Sequence, residues 1–145
     1  MGGDAPRVGA SGEAPFDGGS ARAVLVVDAD ADIRSGACRT LEDAGMVAVA
    51  ATDGRTALRL VAAGAVRPDV LLTTIELPTM SGIELAARVL AMRPSVRVVM
   101  MTGDPRRAAA ARDHRSIVAT VLMLPLDRGE LLSAVRPPPG RAAVR

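Results

Sequence analysis

Three stretches of this chain place carboxylates and hydroxyls at the ends of apolar runs. Asp28-Ala29-Asp30 follows Ala23–Val27, Thr74-Ile75-Glu76 closes the run that begins at Val70, and Thr102-Gly103-Asp104 follows Val96–Met101. Carboxylates such as Asp28 and Glu76 are the groups with which proteins hold a hard divalent cation. The hydroxyls of Thr74 and Thr102 are weak nucleophiles near neutral pH unless a base activates them. The one histidine, His114, lies outside these stretches. A fourth run, Val118–Leu122, leads into Leu124-Pro125-Leu126, which carries no polar side chain.

Other chemistry is excluded by residues the chain lacks. It contains no Lys, Asn, Gln, Trp or Tyr, all 18 basic residues are Arg, and Phe16 is the only aromatic. No step can use a lysine amine, and there is no aromatic platform on which bases could stack. A net charge of +2 is far from the basic footprint of a nucleic-acid binder. The single cysteine, Cys38, excludes an intramolecular disulfide and a multi-cysteine metal site. At 145 residues, 49% hydrophobic and 23% charged, the chain suits one domain with its own core. No apolar run reaches the roughly 18–20 residues of a membrane helix, so no membrane partner is expected.

The elements that must position these residues alternate. Ala23–Val27 is a short continuous apolar run, as a strand buried on both faces should be. A helix follows over 30–44 with Ile33, Ala37, Leu41 and Ala44 on one face and Gly45 at its end. Further strands are expected at Val47–Ala51, Val70–Thr74, Val96–Met101 and Val118–Leu122. Between them, Asp53 caps a helix running to about Gly64, with Leu58, Val61 and Ala65 inward. Ser81 and Glu84 have capping-box spacing for a helix to Met92. Asp104 caps a short helix ending near His114, and Asp127–Arg136 is the last helix. Five β–α units in one domain, 22–136, predict a doubly wound parallel sheet with its crevice at the strands' carboxyl ends. Residues 1–21, rich in Gly, Ala, Pro and Ser, read as a disordered tail with no signal-peptide pattern, and 137–145 as a Pro/Arg-rich tail.

In order and at the right spacing, VLVVDADADIR, PDVLLTTIELPTMSGIEL, VVMMTGD and VLMLPL resemble the successive motifs of a response-regulator receiver domain, with Leu77-Pro78-x-Met80-x-Gly82 the most specific stretch. The resemblance implies a flavodoxin-like (βα)5 sheet of order 2-1-3-4-5. In that family an acidic pair after the first strand binds Mg²⁺, and an aspartate ending the third strand accepts a phosphoryl group. A Ser or Thr after the fourth strand and a Lys after the fifth contact that group, and an aromatic in the fifth strand acts in the switch.

Carried over position by position, the resemblance gives a depleted site. Asp28 matches the first acid, but Ala29 stands in place of the second. Thr74 occupies the phosphoacceptor position, Thr102 keeps the hydroxyl, Leu124 replaces the lysine and Val121 the aromatic. The acceptor chemistry and the cation that would balance it are both lost. The combined losses are expected to leave a nearly neutral pocket, since an intact acidic site without metal or lysine would crowd like charges. The implied protein is a pseudo-receiver that is not an enzyme, takes no cofactor and holds no metal.

Each of these residues also has a structural reading. Glu76 reads as a solvated loop glutamate, with a weak cation site shared with Asp28 as the alternative. Thr102 reads as satisfied by nearby backbone or by Thr74. Cys38, Met80, Met92, Met100, Met101 and Met123 read as core filler, and His114 as a surface residue. Arg106, Arg107, Arg112 and Arg115 form a solvated face or a docking patch for an acidic partner.

The function implied is phosphorylation-independent protein interaction in two-component signalling, in the cytoplasm, with no effector domain expected to follow. The face over about Asp104–Arg136, with Ala108–Ala111 as a smooth surface, would meet a histidine kinase, another regulator or a second copy. The alternative is a Mg²⁺-dependent phosphatase resembling the haloacid dehalogenases. There Asp28 is nucleophile and Asp30 acid/base, but the lysine and the later acidic pair of such enzymes are absent. A flavin or nucleotide carrier on the same fold ranks lower, because the acidic run at Asp28–Asp32 would repel a phosphate.

Overall fold

The computed structural model describes residues 21–137. Ten elements alternate: β1 (Ala23–Val27), α1 (Ala31–Asp43), β2 (Val47–Ala51), α2 (Gly54–Ala62), β3 (Val70–Thr74), α3 (Gly82–Met92), β4 (Arg97–Thr102), α4 (Pro105–Arg112), β5 (Thr120–Met123) and α5 (Arg128–Val135). The five strands form one parallel sheet in the order β2-β1-β3-β4-β5. This is the flavodoxin-like arrangement expected. The proposed tails at 1–21 and 137–145 lie outside the described residues except for Ala21 and Pro137.

Period-two alternation sends the strand side chains into two apolar layers. Leu25, Val27, Leu71, Val98 and Met100 pack beneath α2, α3 and α4, with Ala57, Leu85, Val89 and Ala111. Val24, Val26, Val70, Leu72, Val99 and Met101 pack beneath α1 and α5, with Leu41, Leu131 and Val135. Cys38 is partly buried in the second layer, and burial pushes its thiol pKa up.

Every helix starts on a short polar side chain that accepts from the first turn: Asp30, Asp53, Ser81, Asp104 and Asp127. Ser81 makes only half of the capping box. Its hydroxyl accepts from the Glu84 N–H, while the Glu84 carboxylate turns instead to Arg88 at 2.9 Å. At the other end of α5, Arg22 donates to the Val135 carbonyl at 2.6 Å and Arg97 to the Ala134 carbonyl at 2.7 Å, satisfying carbonyls the helix leaves unpaired.

Several expectations need correction. Ala65 is exposed, because α2 stops at Ala62 and Gly64 reverses the chain at φ 73°; Ala57 and Val66 are buried instead. β5 starts at Thr120, since Ile117 and Val118 donate to the His114 carbonyl and close the turn after α4. β4 is displaced by one residue, to Arg97–Thr102. Met92 is 41% exposed and is not core. Ala108 and Ala111 are buried against the sheet, so only Ala109 and Ala110 of that run face outward.

Candidate functional site

The carboxyl ends of β1, β3 and β4 bring Asp28, Thr74 and Thr102 to one edge of the sheet. All three are buried. Pairing of β3 with β4 continues one residue past Thr74, where the Ile75 N–H donates to the Met101 carbonyl at 3.0 Å. That extension sets Glu76 beside Thr102. The loop then folds back: the Gly82 N–H donates to the Ile75 carbonyl at 2.8 Å, Glu76 bridges to Ser81, and Thr79 takes φ 68°. Gly82 is obligatory here, because a Cβ would collide with the Thr74 carbonyl oxygen. This explains why Leu77-Pro78-x-Met80-x-Gly82 follows the strand so closely.

Glu76 is the hub of the site. Its Oε1 accepts from the Thr74 hydroxyl at 3.1 Å, and its Oε2 accepts from the Thr102 hydroxyl at 2.8 Å. Arg107 of α4 brings Nε to 3.3 Å from Glu76 Oε2 and 3.5 Å from Asp104 Oδ2. The Asp104 N–H donates to Thr102 Oγ1 at 3.1 Å, so that hydroxyl both gives and receives. The sequence reading of Glu76 as a merely solvated loop residue is therefore corrected: the side chain stays half exposed, but both oxygens hold buried hydroxyls. Thr102 is satisfied by Glu76 and Asp104, not by Thr74. Arg107 is a member of this network and not part of a free basic face; Arg106, Arg112, His114 and Arg115 are exposed.

Asp28 sits beside this network. Its Oδ1 accepts from the Asp30 N–H at 2.9 Å, while its buried Oδ2 has no partner among the described residues. Arg34 approaches, but donates to the Asp28 carbonyl at 2.8 Å. Burial raises the Asp28 pKa; the Asp30 N–H draws it down, and the carboxylates of Asp30 and Glu76 add to the rise. Glu76 thus lies near Asp28, with the Arg107 guanidinium against its carboxylate. Asp30 caps α1, its Oδ1 accepting from the Asp32 and Ile33 N–H groups.

The donor set is poor for Mg²⁺: Ala29 offers no ligand and Thr74 only a neutral hydroxyl, which leaves the carboxylates of Asp28 and Glu76, the latter already accepting from two hydroxyls. Among the described residues, no group of three or more His, Cys, Asp or Glu could hold a metal.

The remaining sequence positions face apolar surroundings. Leu124 packs on the α1/α5 layer and lines a cavity of about 550 Å³ with Ile33, Ala37, Leu126 and Leu131. Its N–H donates to the Thr102 carbonyl at 2.9 Å, and the Leu124–Pro125 peptide is cis. Val121 is half buried, paired with Met100 and packed toward the α2–α4 layer. The i, i+2 spacing from Thr74 pointed Glu76 toward the crevice with Asp28, as a remnant of an acidic pocket; its bridging of the Thr74 and Thr102 hydroxyls and its contact with Arg107 went unread in the sequence.

Comparison with known proteins agrees with this fold. Residues 24–136 match the response regulator receiver domain family. The chain belongs to the response-regulator receiver family. It is 31% identical over 112 residues to the DNA-binding transcriptional regulator NtrC of Escherichia coli K12, covering 77% of this chain and 24% of the relative. It is 42% identical over 87 residues to protein-glutamate methylesterase/protein-glutamine glutaminase 2 of Caulobacter vibrioides, covering 59% of this chain and 24% of the relative. The chain thus spans about a quarter of the length of these curated relatives. Among solved receivers, chemotaxis response regulator CheY4 of Vibrio cholerae superposes with a TM-score of 0.68 at 28% identity, over 79% of this chain and 95% of that one. The receiver domain of an HD-domain protein from Pseudomonas fluorescens Pf-5 gives 0.74 at 28% identity, over 84% and 89%. Among the described residues, no helix of this receiver is long and apolar enough to cross a membrane.

Proposed function

We propose that this receiver works in two-component signalling as a pseudo-receiver, binding a protein partner without accepting a phosphoryl group. One observation carries the reading: at the acceptor position stands the hydroxyl of Thr74, buried and donating to Glu76. A neutral hydroxyl is a far weaker nucleophile than the carboxylate the family uses; Glu76, the group in reach to take its proton, is made a poorer base by the Thr102 hydroxyl and Arg107 on its other oxygen, and attack on a phosphodonor would also need a cation to balance the incoming charge. Leu124 supplies no cation, and Ala29 no metal ligand. The losses at the three positions are mutually consistent, since the family's chemistry requires all of them together.

Partner binding is assigned to the face over about Asp104–Arg136. There the exposed Arg106, Arg112 and Arg115 outnumber the exposed acid Asp113 near α4, which favours an acidic surface on a histidine kinase, another regulator or a second copy.

The test is phosphorylation itself. Incubation with acetyl phosphate and Mg²⁺ should leave the protein without acid-labile label, and Mg²⁺ with beryllium fluoride should leave the amides of Asp28, Thr74 and Thr102 unmoved in NMR spectra. Stoichiometric label would overturn the proposal.

A further inference from the structure

Glu76 does more than occupy the acceptor pocket. Thr102 and Arg107, the two groups on its Oε2, bracket the start of α4. Thr102 Oγ1 accepts from the N–H of Asp104, the helix N-cap, at 3.1 Å, and Arg107 reaches the Asp104 carboxylate at 3.5 Å. Asp104 Oδ1 in turn accepts from the Arg106 N–H at 2.9 Å. The helix packs on the sheet through small side chains only. It is eight residues long, and the residues it buries are Ala108 and Ala111, whose methyl groups remove little apolar surface from water. An isolated helix of this length is far below the roughly 12–15 residues at which helices become marginal in water.

We infer that Glu76 is the positioning residue for α4: a built-in carboxylate, acting through Thr102 and Arg107, that fixes the helix and its exposed arginines in one placement. This rests on the reading of the domain as phosphorylation-independent and adds how its binding face is set. No transferred group is required, because the ligand that orders the β4–α4 junction is part of the chain. The face is then presented permanently, and a partner would meet it already formed.

The test is amide hydrogen exchange followed by NMR on the full chain. In Glu76→Ala the amides of Ala108–Asp113 should exchange at least about tenfold faster, while those of α2 keep their rates; tenfold corresponds to about 1.4 kcal/mol. Thr74→Ala, which removes the other contact of Glu76, should leave α4 at its normal rate. Adding Arg107→Ala to Glu76→Ala should slow nothing, yet add less than its effect alone, since the two side chains share a contact. Should Glu76→Ala fold poorly, Glu76→Gln keeps one acceptor oxygen and loses the charge, and α4 should loosen by a smaller factor. Unchanged α4 exchange in both Glu76 variants would overturn the inference. So would equal acceleration in α2 and α4, or a Thr74→Ala effect as large as that of Glu76→Ala. Acid-labile labelling reports on the pseudo-receiver reading separately, so either idea can fail alone.

Discussion

Thr74 Oγ1 and Glu76 Oε1, two residues apart in sequence, are joined by a 3.1 Å hydrogen bond at the end of β3. Thr74, which the family resemblance puts at the acceptor position, therefore already faces a carboxylate. Restoring an acid there puts two negative groups together in a buried site with no lysine beside them. Thr74→Asp alone should gain no strong acid-labile label from acetyl phosphate and should lose about 1–3 kcal/mol of stability. Adding Glu76→Gln should recover much of that loss in urea unfolding. Efficient labelling of the single variant would show that Ala29 and Leu124 are not limiting.

Asp28 makes stability depend on pH. Burial raises its pKa above the ordinary value of 3.8, so above that value the folded protein retains a proton that the unfolded chain has released. Stability is greatest below pH 3.8 as far as this group is concerned, and falls as pH rises toward the raised folded value. Asp28→Asn keeps an oxygen for the Asp30 N–H and removes the charge. It should raise stability at neutral pH by about 1 kcal/mol and flatten the profile from the ordinary value of 3.8 upward, as read by urea unfolding.

Gly82 and Gly36 should respond oppositely to the same substitution. A Cβ on Gly82 meets the Thr74 carbonyl and the Ile75 backbone, so Gly82→Ala should cost about 2–3 kcal/mol and shift the amides around Thr74. Gly36 lies inside α1 with open space around it, and Gly36→Ala should stabilise by about 0.5–1 kcal/mol. Thermal unfolding of the two variants checks both signs.

Arg97 ties the sheet to α5. Arg97→Met keeps the apolar stem but removes the bond to the Ala134 carbonyl, and should cost about 1–2 kcal/mol with faster amide exchange in α5. Arg88, paired with Glu84 where both side chains are about half exposed, should cost under about 0.5 kcal/mol when changed to Ala.

The architecture was legible because it rests on local patterns. Continuous apolar runs mark doubly covered strands, and Asp or Ser one residue before each helix marks a cap. The short polar side chains at 30, 53, 81, 104 and 127 were all read as helix starts and all cap. Errors gathered at element boundaries, as at Ala65 and Val118, because where an element starts or stops depends on turn geometry and on which partner strand supplies hydrogen bonds. Met92 and the Ala108–Ala111 run were misjudged for a related reason: composition does not say which side of a short helix the sheet covers.

The sequence by itself determined the alternating fold, the place of the crevice and which residues, Thr74, Ala29 and Leu124, stand where the family resemblance puts acceptor, metal ligand and lysine. Those are properties of residue type and order along the chain. Tertiary structure alone decided that Glu76 binds Thr102 across 26 residues, that Arg107 joins them from α4, and that one oxygen of Asp28 is left without a partner. Such contacts follow from strand register and from a loop folding back over Gly82, and a side chain's partner is set by where the backbone carries it, not by its neighbours in sequence.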